Sequence, residues 1–124
     1  MRMRVQTFAS IVRNARKERE ITRTRVAQLQ QMIIEFQKMI QDLDGEIRAD
    51  EERSGIRDPS HFAYPIYAKT ASARRENLSR SFETMQAMLP DAQSAMKRAE
   101  EALEALLALE VIRAQAQRVE ADAS

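Results

Sequence analysis

This 124-residue sequence holds a single histidine, His61, so acid or base chemistry would have to run through it or through a carboxylate. No second histidine stands at ligand spacing. There is also no cysteine, hence no thiolate nucleophile, no disulfide framework and no cysteine-based metal site. The carboxylates Asp50, Glu51 and Glu52 are consecutive on what reads as a helix and point in different directions, which makes a solvated flank and not a metal cage. No glycine-rich phosphate loop is present. The expectation is a non-enzymatic protein with no cofactor and no metal, in which His61 packs or hydrogen-bonds.

The other chemistry open to these residues is charge recognition. Residues 1 to 25 carry eight Lys or Arg against two Glu, whereas residues 99 to 124 carry six acids against two Arg. Clustered basic residues can neutralise phosphates. Here, however, no aromatic residue is interleaved with the run from Arg13 to Arg25, no basic-region zipper pattern follows, and an acidic arm is available to lie alongside. Protein partners are expected and nucleic acid is not.

These groups must be positioned by helices. From Phe8 the positions Val12, Ala15, Arg19, Thr22, Val26, Leu29, Ile33, Phe36, Ile40, Leu43 and Ile47 alternate in steps of three and four. Such spacing is a heptad seam, stable in water only when buried against another helix. Arg19 and Thr22 are polar where apolar residues belong, so the seam is thin there. Either Arg19 fixes register, or its stem lies along the interface with its head in water. The same steps recur through Ala68, Ala71, Arg75, Leu78, Phe82, Met85, Leu89, Ala92, Met96, Ala99, Leu103 and Leu106.

Between the two seams, both glycines and two of the three prolines fall in the stretch from Asp44 to Tyr67, which marks a bend. Ser54 and Gly55 supply a helix stop, and Asp58-Pro59 has the form of a cap followed by proline at a first helical position. A short helical turn over Pro59 to Ala63 is expected, then a break at Pro65. His61, Phe62, Tyr64 and Tyr67 gather here, and Phe62 and Tyr67 either plug the tip or are presented to a partner. Pro90 keeps the heptad phase on both sides and has no turn residues around it, so it reads as a kink within one helix and not as a loop.

The pattern predicts an all-α fold, an antiparallel two-helix coiled-coil hairpin forming a long rod kinked near Pro90. Its first arm is about 3–53, its tip about 54–67 and its second arm about 68–120. Folding about the bend pairs Phe36 with Leu78, Ile33 with Phe82, Leu29 with Met85, Val12 with Leu103 and Phe8 with Leu106. Past Leu107 the apolar phase shifts, and the last turns are expected to fray. Because each seam finds its partner within the chain, the isolated protein is expected to be a monomer. No run nears the roughly 20 apolar residues of a membrane span, no secretion signal opens the chain, and a cytoplasmic protein is expected.

The tip EERSGIRDPSHFAYPIYAKTASARREN, above all DPSHFAYP, resembles the FliJ family of flagellar export proteins in its alphaproteobacterial form, and the resemblance extends over nearly the whole chain. It implies an antiparallel two-helix coiled coil in the flagellar type III export apparatus. Such a protein is a stalk or escort that links the export ATPase ring to the cytoplasmic domain of the export gate and handles export chaperones, and it lies at the inner membrane through those partners. Joined to the charge pattern, this implies a ring-binding terminal end with Phe8, Arg13 and Arg16, and a partner-binding tip with Phe62, Tyr64 and Tyr67. Two other readings fit the heptads: a free-standing helical-hairpin adaptor or chaperone for one client, and a homodimeric coiled coil whose hairpin never closes.

Overall fold

The computed structural model describes residues 7–123. Two long helices, α1 (Phe8–Ser54) and α2 (Ile66–Ala123), pack against each other as an antiparallel hairpin, with no strand among the described residues. The stretch of the expected first arm from residue 3 to residue 6 lies outside them. Thr7 caps α1: its Oγ1 accepts the Ser10 N–H at 3.1 Å, and its carbonyl accepts the Ile11 N–H.

Every seam position read from the sequence, from Phe8 to Ile47 in α1 and from Ala68 to Leu106 in α2, is buried or half-buried. Val12, Val26, Leu29, Leu43, Met85 and Leu103 are the buried large residues, and Ile33, Phe36, Ile40, Leu78, Phe82, Leu89 and Leu106 are half-buried. A single seam between two helices covers each side chain on one side only, so much of its surface stays wet. The polar seam residue Thr22 is 3 % exposed and satisfies its hydroxyl locally, donating to the carbonyls of Glu18 at 2.8 Å and Arg19 at 2.9 Å.

Helix α2 passes through Pro90, so the proline makes no loop there. Pro90 is exposed, which leaves the carbonyl one turn back facing water. The chain divides into two compact units, one made of the residues up to Ala27 with those from Asp91 on, the other of Gln28–Pro90. One border is Pro90 itself, and the terminal unit holds the thin stretch of Ala15, Arg19, Thr22, Ala92 and Ala99.

One expectation at the start of α2 is corrected. The helix begins at Ile66, and residues 59–63 form turns instead of a helical turn. At its other end α2 runs to Ala123 through AQAQRVEADA, which is rich in strong helix formers and exposed throughout.

Candidate functional site

The bend is built by hydrogen bonds that run from side chain to backbone. Gly55 adopts φ 72°, the left-handed region that lets a helix end, and its N–H donates to the Glu51 carbonyl at 2.9 Å. Ser54 Oγ then accepts the Ile56 N–H at 3.1 Å. Asp58 Oδ1 accepts from the Ser60 N–H at 3.0 Å and from the Ser60 hydroxyl at 2.7 Å, and these two bonds hold its carboxyl below the usual range. Two turns follow, His61 N–H to the Asp58 carbonyl and Tyr64 N–H to the His61 carbonyl. The Asp58 cap is therefore real, but the chain it starts turns twice and stops, since Pro65 lies too close for a helix to develop.

His61 accepts the Ala63 N–H on Nδ1 at 3.0 Å and stacks on Phe62, with ring centroids 4.7 Å apart and planes 22° apart. Phe62 is 97 % exposed, so a fixed loop holds a phenyl ring in water. Tyr64 does the reverse. At 7 % exposure it is the plug, with its hydroxyl donating to Glu51 Oε2 at 3.1 Å, and this corrects its assignment as a presented residue. Burial in the first place, and the Glu51 carboxylate in the second, raise its pKa. Tyr67 is 58 % exposed and donates to Glu46 Oε2 at 3.1 Å, and that carboxylate raises its pKa. Phe62 and Tyr67 thus stay available at the tip, while the plugging role expected of them falls to Tyr64.

The acidic run separates as its spacing requires. Glu51 meets Tyr64, Asp50 pairs with Arg53, and Glu52 is exposed. Among the described residues no group of three or more His, Cys, Asp or Glu is placed to hold a metal ion.

In the terminal unit Arg13 and Arg16 are exposed. Phe8, paired with Leu106 from the sequence, carries the Arg113 guanidinium 4.3 Å above its ring, seven positions further along α2. The seam phase past Leu106 falls on Glu110, Arg113 and Gln117, and these polar residues line one cleft with Phe8, so the hydrophobic seam ends there. Arg23 pairs with Glu100 at 3.1 Å, which joins the basic arm to the acidic one. Arg19 is half-buried, and its Nε is buried without a hydrogen-bond partner among the described residues, so the stem lies in the seam.

The Tyr64 and Tyr67 bonds were missed from the sequence. The signal was available, because folding about the bend sets Glu51 level with Tyr64. No family model matches the chain, and no curated protein or solved structure is significantly similar to it. No helix among the described residues is long and apolar enough to cross a membrane.

Proposed function

We propose that this protein is a non-enzymatic component of the flagellar type III export apparatus, a stalk or escort linking the export ATPase ring to the export gate and its chaperones. The observation that carries the reading is the tip. The stretch that resembles the FliJ family, DPSHFAYP, is the stretch whose side chains build a bonded loop around an exposed Phe62. Leaving a phenyl ring almost wholly in water forgoes its burial energy, and fixed, exposed aromatic residues are the usual anchors of protein interfaces. The terminal unit, with Arg13 and Arg16 exposed on α1, would meet the ring by charge complementarity. The Tyr64 to Glu51 bond closes the hairpin within one chain and speaks against the open homodimer.

Mixing the purified protein with the export ATPase and, separately, with the cytoplasmic domain of the gate tests the proposal. Complexes with both are expected, as is stimulation of ATP hydrolysis. Binding to neither, by a chain of intact helicity, would overturn it and favour a hairpin adaptor for a single client.

A further inference from the structure

The unit formed by Gln28–Pro90 leaves one flank of its seam open. Two clefts lie between α1 and α2 there, one lined by Met39, Asp42, Glu46, Tyr67 and Arg74, the other by Met32, Phe36, Arg80 and Ser81. Met32 and Met39 are seven residues apart, as are Arg74 and Ser81, so the heptad repeat brings both clefts to the same side of the helix pair. Seven further along α2 is Met88. Met32 and Met39 are each 42 % exposed, Met88 51 % and Tyr67 58 %, a row of large side chains lying outside the seam. Rows of this kind mark interaction surfaces, and methionine reshapes itself readily to a partner.

The walls of this flank carry opposite charge. Helix α1 brings Asp42 and Glu46, and α2 brings Arg74 and Arg80. Glu46 already accepts from Tyr67, and Arg80 pairs with Glu76 along its own helix. Asp42 and Arg74 line the same cleft and make no ion pair among the described residues. We infer that a second copy of this chain covers the flank, related by a twofold axis parallel to the helices, so that α1 of each copy lies on α2 of the other. Such an axis keeps every residue at its own level. Asp42 then comes against Arg74 of the second copy, twice by symmetry, and the methionine rows close on each other. A twofold axis across the helices would instead set α1 on α1, acid against acid, which is disfavoured. The product is a four-helix layer, the arrangement in which long amphipathic helices reach full burial. The monomer expected from the sequence takes only the seams into account.

The test is the molar mass of the full chain by sedimentation equilibrium, from micromolar to millimolar concentration. A reversible monomer to dimer transition is expected. Met39→Glu should weaken it at least about tenfold, because a charge is carried into an apolar contact, with helicity unchanged by circular dichroism. Asp42→Arg and Arg74→Glu should each weaken self-association, and an equimolar mixture of the two variants should restore the dimer, since both charge pairs are then complementary. A wild-type chain that stays monomeric throughout overturns the inference, including one that takes up an added amphipathic helical peptide on this flank in place of a second copy. So does a dimer indifferent to Met39→Glu, or variants that fail to reconstitute it on mixing.

Discussion

Tyr64 reaches back across the bend to Glu51, thirteen residues earlier, and its hydroxyl donates to that carboxylate at 3.1 Å while the residue is buried. This bond is the clasp of the hairpin. Tyr64→Phe keeps the ring and removes the clasp, so it should lower the thermal midpoint and speed amide exchange over residues 60 to 66. Burial and Glu51 raise the Tyr64 pKa above its ordinary 10.0, so the folded state favours the neutral phenol. The contribution is then fully present below pH 10 and is lost as pH rises through the raised value. Midpoints of wild type and Tyr64→Phe measured across this range should converge on the alkaline side. A constant gap would show that the hydroxyl contributes nothing through its ionisation.

Seam substitutions should rank by burial. Leu103 is 2 % exposed, and Leu103→Ala should cost about 3 kcal/mol. Phe36 is half-buried despite its size, and Phe36→Ala should cost less, about 2 kcal/mol. Urea unfolding followed by circular dichroism gives both values. If Phe36→Ala proves the more damaging, the ring is covered by something more than α2, as the second copy inferred above would do.

Arg19 places a buried Nε in the seam without a hydrogen-bond partner. Arg19→Leu restores an apolar heptad position and removes that donor, and it should stabilise the chain by about 1 kcal/mol. The same unfolding experiment measures it. A loss of stability would reveal a partner for the guanidinium and end the account of a snorkelling stem.

The functional proposal separates the terminal unit from the tip. Reversing Arg13 and Arg16 to Glu should weaken binding to the export ATPase and its stimulation, more visibly at low salt because exposed charges are screened beyond about 10 Å at 0.1 M. Phe62→Ala should leave both intact and lower motility and export. Loss of ATPase stimulation by Phe62→Ala alone, with the Arg variants active, would reverse the assignment.

The seam was legible because burial against a single helix translates directly into steps of three and four, and no other physics competes along that stripe. Even Arg19 and Thr22, the wrong residue types, lie where the period puts them, one half-buried and one buried. Pro90 was legible for the same reason, since the phase continues across it. The tip was not. Its path depends on which side chains bond to which backbone groups, and Asp58 with Ser60 selects two turns where a cap followed by proline suggests a helix. Aromatic character alone does not separate Tyr64 from Phe62 and Tyr67 as the plug, and only the pairing that sets Glu51 level with Tyr64 marks it. The Arg113 contact to Phe8 was not legible, because a cation over a ring leaves no mark in hydrophobic periodicity.

Gly55 also has a stereochemical consequence. At φ 72° its backbone has the handedness natural to a D-amino acid, and a Cβ added there would meet nothing within 4 Å. An L-alanine at this position is strained by about 1 kcal/mol, whereas a D-alanine fits the same backbone unstrained and narrows the unfolded ensemble. The two enantiomers at one site should therefore move stability in opposite directions. A chain assembled from two synthetic peptides joined near the bend could carry either, so the hairpin can discriminate the chirality of a single methyl group.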